Sequence, residues 1–268
     1  MSVIKPIDRD ALREKVRGAT PFPSFCIDGF LDDAFAEQVL GSFPSFEEAS
    51  KLGRSFSAVN EKGKIQITDS SKFAGPVAEL NRALASPEFL ELLSYVFDIP
   101  NLLADSELVG GGIHQTGPRG LLDVHVDFNY IEDRRLHRRL NILIYFNKDW
   151  RPEWGGNIEL WDKDVKVCHH SFSPVFNRCV VFQTNEISYH GVTAVNCPEG
   201  RSRKSFAAYY YTAEAPEGWD GSVHTTSFRA RPNEVLKGSV LMPLERAGRQ
   251  MKDMVKSLKK TIKKTIKG

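Results

Sequence analysis

Cysteine is scarce in this chain: four in 268 residues, Cys26, Cys168, Cys179 and Cys197, with no CxxC spacing among them. That excludes the zinc-ribbon and thioredoxin readings and a disulfide scaffold, and points to a reducing compartment. No apolar run approaches the roughly 18–20 residues that cross a bilayer. Met1 to Pro6 lack the apolar stretch of a secretory signal. A cytoplasmic protein is therefore expected. Internal repeats and long Gly/Ser linkers are missing as well, which argues against solenoids and tethered modules. With 41% hydrophobic and 26% charged residues, the composition is ordinary for a globular protein and supports one sizeable core.

Acidic residues are almost absent from the C-terminal stretch. The formal net charge is +2, yet residues 246–268 carry nine Lys and Arg against one acid, Asp253. This tail is thus +8 and residues 1–245 are −6. Met251, Met254, Val255, Leu258, Ile262 and Ile266 recur there at intervals of three or four, as in an amphipathic helix. Three arrangements fit: peripheral contact with an anionic bilayer such as the inner membrane surface, packing on the domain or a second subunit, or disorder. The lysines have no interleaved aromatics, so no nucleic-acid partner is expected. Oligomeric state is not legible.

Helical spacing dominates the first hundred residues. Asp10 to Arg17 is polar and helical. A capped helix runs from Asp32 and stops before Pro44, and a helical zone covers Val77 to Val96. From Leu108 to Thr212 the texture changes to short runs rich in β-branched and aromatic residues. They are Leu121–Val126, Leu140–Phe146, Asn157–Trp161, Val165–His169, Cys179–Gln183 and Ser205–Thr212. Gly117-Pro118, Gly155-Gly156 and Ser173-Pro174 break them. Strands without intervening helices predict an all-β barrel or sandwich, here buttressed by N-terminal helices.

Within this β region stands His125-Val126-Asp127. Residues two apart on a strand point to one face, so imidazole and carboxylate can converge on one ion. The pair alone is common by chance. A distant histidine, His190 in Ser188-Tyr189-His190-Gly191, would complete the facial triad of non-haem Fe(II) sites, which leaves the opposite coordination positions open. Further on, Arg203-Lys204-Ser205 heads a strand and aims a guanidinium and a hydroxyl to one side. Arginine presents a planar fork suited to the far end of a dicarboxylate.

In order and spacing these elements resemble the Fe(II)/2-oxoglutarate-dependent dioxygenases, within them the prolyl-hydroxylase-like branch. The resemblance covers about 105–213 and, less fully, Pro21-Phe22-Pro23-Ser24-Phe25 onward. Tyr145-Phe146-Asn147-Lys148-Asp149-Trp150 followed by Gly155-Gly156 is similar to the Tyr-Leu-Asn-x-x-Trp…Gly-Gly segment of the hypoxia-sensing prolyl hydroxylases. The resemblance implies a double-stranded β-helix, or jelly-roll, barrel. Its dioxygenase domain would span 1–244, with N-terminal helices over about 1–104 and the core over about 105–213, followed by the tail 245–268. It implies His125, Asp127 and His190 as Fe(II) ligands, and Arg203, Tyr145 and Ser205 around the distal carboxylate of 2-oxoglutarate. His114 would lie near the metal-proximal end of that co-substrate. Arg201 is the competing anchor; Arg203 is preferred because it leads the apolar strand. The implied reaction uses O2, releases succinate and CO2 and hydroxylates a C–H bond, with ascorbate as an accessory reductant. The substrate is left open among a peptidyl proline, an amino acid, a sugar and a lipid-linked glycan. A cupin-like binding protein or isomerase, and a zinc hydrolase with the same ligands, are the alternatives; both leave Arg203 and Tyr145 without a purpose.

Other candidates have plainer accounts. Asn129 faces substrate or co-substrate, or serves a polar turn. His137, in the basic run Arg134 to Arg139, belongs to a solvated loop or to an anion-recognising mouth. Cys168-His169-His170 alternates across a strand and is not expected to bind metal. Trp150, Trp154 and Trp161 are expected mainly in packing.

Overall fold

The computed structural model describes residues 3–234 and 236–243; the expected tail helix at 245–268 lies outside them. The helices are α1 (Arg9–Arg17), α2 (Asp33–Gly41), α3 (Phe46–Leu52), α4 (Gly75–Leu84) and α5 (Pro87–Phe97). Four strands lie among or just after them: β1 (Ser24–Asp28), β2 (Arg54–Ser57), β3 (Glu61–Ile67) and β4 (Leu103–Ala104). The remaining strands are β5 (Gly112–Val126), β6 (Tyr130–Ile131), β7 (Leu136–Tyr145), β8 (Ile158–Trp161), β9 (Cys168–Phe172), β10 (Arg178–Gln183), β11 (His190–Val192), β12 (Arg203–Thr212) and β13 (Ser227–Arg229). They build a nearly closed antiparallel barrel in the order β1-β10-β7-β12-β5-β11-β8-β9.

Local chemistry sets the helix ends. Asp32 accepts from the Phe35 amide at 3.0 Å and starts α2. Ser45 and Glu48 form a reciprocal capping box on α3. The zone Val77 to Val96 is two helices, not one. Ser86 caps the Phe89 amide at 3.2 Å and Pro87 opens α5, a pairing that starts a new helix and ends the old one.

Alternation along β7 assigns its faces. Leu140, Ile142, Ile144 and, just beyond the strand, Phe146 pack against Val77, Leu80, Leu93 and Val96 of the helices. Each such side chain contributes roughly 1.5–3 kcal/mol on burial. Tyr145 and Leu143 point the other way, towards Phe182, Ile158 and Val192.

Three expectations need correction. The stretch before residue 104 is not simply helical, because β1 pairs with β10 and the β2–β3 hairpin extends the sheet. Strand Val165–His169 is displaced to Cys168–Phe172, since Val165 sits in a turn with φ +57°. Gly117-Pro118 does not end a strand; β5 runs through it. The backbone bulges there, and a Cβ on Gly63 would meet the Gly120 Cα at 2.8 Å. Before the bulge β5 lies between β12 and β3; at its end it lies between β11 and β13. This switch carries the His-x-Asp pair away from β12 and alongside His190.

Candidate active site

His190 lies opposite His125 in the β11–β5 register. Asp127 stands just past the end of β5. The His125 Nε2 is 3.5 Å from Asp127 Oδ1, and the His190 Nε2 is 3.4 Å from Oδ2. One ligand atom from each of the three falls within 4.8 Å of the others, and no second such cluster occurs among the described residues. Each imidazole is aimed from behind. His125 Nδ1 is 2.8 Å from the Asp123 carbonyl, and His190 Nδ1 is 2.8 Å from the Ser188 carbonyl. A carbonyl only accepts, so Nδ1 carries the proton and Nε2 keeps its lone pair for the cluster.

The carboxylate is held as firmly. Its Oδ2 accepts from Asn141 Nδ2 at 2.8 Å and faces Arg138 Nη2 at 3.0 Å. Burial would raise the Asp127 carboxyl, but the Arg138 guanidinium beside it outweighs that and holds it well below the usual range. Burial and the neighbouring His125 lower His190. Arg138 is wedged between the rings of Tyr209 (3.6 Å) and Phe128 (4.6 Å) and also grips Asn141.

A cavity of ≈ 380 Å³ opens beside the cluster, and Arg203 and His114 line it too. Arg203 is buried. Its Nε donates to the Gly156 carbonyl at 2.6 Å, Nη1 reaches Ser205 Oγ at 3.4 Å, and its guanidinium lies 4.9 Å over the Tyr145 ring. Arg203 Nη2 and the Tyr145 hydroxyl are both buried without a protein partner. Two unpartnered donors side by side are what a ligand carboxylate would satisfy. Burial, opposed by Arg203, pushes the Tyr145 phenol up to about 12, so it stays a donor. Arg201, by contrast, is exposed and lies over Trp154 at 5.0 Å.

His114 lies opposite Ser205 on β5, with Nε2 near the Gly110 carbonyl (3.0 Å) and Gln66 (3.2 Å). Burial and the charge of Lys64 keep it neutral, well below its ordinary pKa. Asn129 turns away from the cavity: it donates to the Ser222 carbonyl at 2.9 Å and accepts from the His224 amide at 3.0 Å. The segment it holds leads into β13, which pairs with Val124 to Val126 and puts Phe228 5.4 Å from the His125 ring. His137 is buried against Tyr130 and Trp219 rather than solvated. Trp150 and Trp154 pack on each other beside Val195, and Trp161 packs on Val124. In the Cys168-His169-His170 run, His170 Nε2 is committed to the Thr20 carbonyl at 2.8 Å.

Residues 111–211 match the family model of the 2OG-Fe(II) oxygenase superfamily. No curated protein matches the chain by sequence. Among solved structures it is similar to a prolyl hydroxylase from Trichoplax adhaerens, in complex with a hypoxia inducible factor oxygen degradation domain peptide fragment. That match has 16% identity and a TM-score of 0.57, over 76% of this chain and 88% of that one. A Pseudomonas putida prolyl-4-hydroxylase matches at 17% identity and TM-score 0.53, over 76% and 98%. Prolyl 4-hydroxylase from Phytophthora capsici matches at 17% and 0.56, over 91% and 78%. At these identities the likeness is one of fold.

Proposed function

We propose, from the premise that residues 111–211 make this chain an oxygenase of the 2OG-Fe(II) superfamily, that it hydroxylates a C–H bond and converts 2-oxoglutarate to succinate and CO2. The observation that carries the reading is the pairing in one cavity of a two-histidine, one-carboxylate cluster with buried Arg203, whose unsatisfied Nη2 lies beside the equally unsatisfied Tyr145 hydroxyl.

In this reading His125, Asp127 and His190 would hold Fe(II), and all three line the cavity that would admit the co-substrate. The bound metal and co-substrate supply the oxidising chemistry when O2 arrives. The chain's own residues orient and insulate. Arg203, Tyr145 and Ser205 bind the distal carboxylate of 2-oxoglutarate and set its direction, with His114 as a neutral hydrogen-bonding group nearby. Asn141 and Arg138 fix the Asp127 carboxylate so that it presents its Oδ1 edge. Phe182 and Phe228 screen the histidines from water, His190 from Phe182 at 4.6 Å between ring centroids. The fold leaves the substrate undetermined.

Anaerobic addition of Fe(II) and 2-oxoglutarate should produce a visible metal-to-ligand charge-transfer band. Folded protein without that band would refute the reading, as would normal succinate formation by Asp127→Ala.

A further inference from the structure

We infer that the substrate bears an anionic group, a carboxylate or a phosphate, received by the cavity-facing side of the β2–β3 hairpin. The inference rests on the oxygenase reading and specifies the substrate class for the same cavity.

Register gives the hairpin two unlike sides. Arg54 lies opposite Gln66, and Phe56 opposite Lys64. Period-two alternation puts these four on one face and Ile65 and Ile67 on the other. The isoleucines are buried in the core under the helices, while all four of the others line the cavity. That face is built around a ring with two cations: the Arg54 guanidinium 4.8 Å from the Phe56 centroid and the Lys64 ammonium 5.2 Å from it. Lys64 is shared with Glu61 at 2.9 Å; among the described residues no carboxylate pairs with Arg54, which is exposed at the rim.

The charge of the whole cavity points the same way. Its lining holds Arg54, Lys64, Arg138 and Arg203 against Glu61 and Asp127, a balance of +2. Bound Fe(II) and doubly negative 2-oxoglutarate cancel and leave that excess in place. The excess is local, since residues 1–245 together carry −6. Arg138 is engaged by Asp127 and Asn141, and Arg203 by Gly156 and the co-substrate end. The cation left free to meet a substrate is Arg54 of the hairpin, with Lys64 held beside it by Glu61. A low-dielectric cavity of one sign focuses its field on an incoming ion of the other.

The test uses anaerobic enzyme loaded with Fe(II) and 2-oxoglutarate, titrated calorimetrically with two probe pairs. These are glucose 6-phosphate against glucose, and N-acetylproline against N-acetylproline amide. At least one charged probe should bind about tenfold or more tighter than its neutral partner. Arg54→Gln should weaken that probe about tenfold or more, and Arg54→Glu further, without moving the 2-oxoglutarate midpoint of the charge-transfer band. Preference for the phosphate or the carboxylate probe identifies which anion the site takes. Equal affinity within both pairs, no binding by either charged probe, or indifference to both Arg54 substitutions overturns the inference. Loss of the charge-transfer band in the unsubstituted enzyme would overturn the oxygenase reading instead.

Discussion

Arg138 stands behind Asp127, with Nη2 3.0 Å from Oδ2; the guanidinium is buried and the carboxylate mostly so. The guanidinium offsets a carboxylate charge that would otherwise stand uncompensated between two imidazoles. Breaking such a pair from one side typically costs about 3 kcal/mol or more, because the remaining ion is left uncompensated. Arg138→Gln should therefore lower the stability of the metal-free protein by about that amount in urea unfolding. Adding Fe(II) should recover part of the loss, since a dication replaces the missing charge. Equal unfolding midpoints for the two metal-free proteins would show the pair to be inert.

Arg203 and Arg201 form a natural control, one buried in the cavity and the other exposed on Trp154. Removing a fully desolvated charge partner costs roughly 2–5 kcal/mol of binding. Arg203→Ala should raise the 2-oxoglutarate requirement by about 100-fold, and Arg201→Ala should leave it unchanged. The midpoint of the charge-transfer titration reads both.

Gly156 turns the chain at φ +71°, and a Cβ there would stand 3.0 Å from Arg203 Cδ. Its own carbonyl is the acceptor for Arg203 Nε. Gly156→Ala therefore strains the left-handed backbone and pushes the arginine it is meant to seat. Weaker 2-oxoglutarate binding with unaltered Fe(II) binding is expected. A co-substrate midpoint that does not move would refute the seating role.

Burial raises three tyrosines that line or back the cavity: Tyr145 and Tyr209 to about 12, and Tyr211 further. Unfolded tyrosine ionises near 10. A raised folded value means that the unfolded chain loses its proton first, so the tyrosine contribution is intact below about pH 10 and is lost as pH rises towards about 12. Urea midpoints should fall slowly above about pH 8.5, where unfolded cysteines ionise while burial keeps the thiols of Cys26, Cys168 and Cys179 protonated. They should drop more steeply above about pH 10 as the tyrosines join them. Tyr145→Phe should make the drop shallower while weakening 2-oxoglutarate binding.

The convergence of His125, Asp127 and His190 was legible because it obeys strand alternation: His125 and Asp127 are two apart, and His190 lies on the adjacent strand. Arg203, Ser205 and Tyr145 follow the same rule. Arg138 was not legible, and the reason is a bulge. Counting back by two from Asn141 leads to Arg139. Yet β12 places Tyr210 opposite Leu140 and Tyr211 opposite Arg138, so one residue of β7 is left over. That extra residue reverses the phase and turns Arg138 inward beside Asn141. A run of four arginines also reads as solvated surface, which hid the one that is buried. The β2–β3 hairpin escaped for a different reason: Arg54–Ser57 is short, largely exposed and carries no apolar alternation. Asn129 looked like a ligand-facing amide because nothing nearby in the chain reveals its partners, Ser222 and His224, more than ninety residues away.

The return of β13 to the end of β5 has a practical corollary. Chain well downstream of the superfamily-matched segment finishes the wall beside His125, tethered by Asn129 and, further on, by Arg231 to Glu159 and Lys237 to Asp123. Asp123 is the same residue whose carbonyl steers the His125 ring. A polypeptide stopped near residue 213 would keep His125, Asp127 and His190 yet bare the hydrogen-bonding rim of Val124 to Val126, a sticky seam for other strands. The wall around the cluster thus draws on chain beyond the segment that the family model matches.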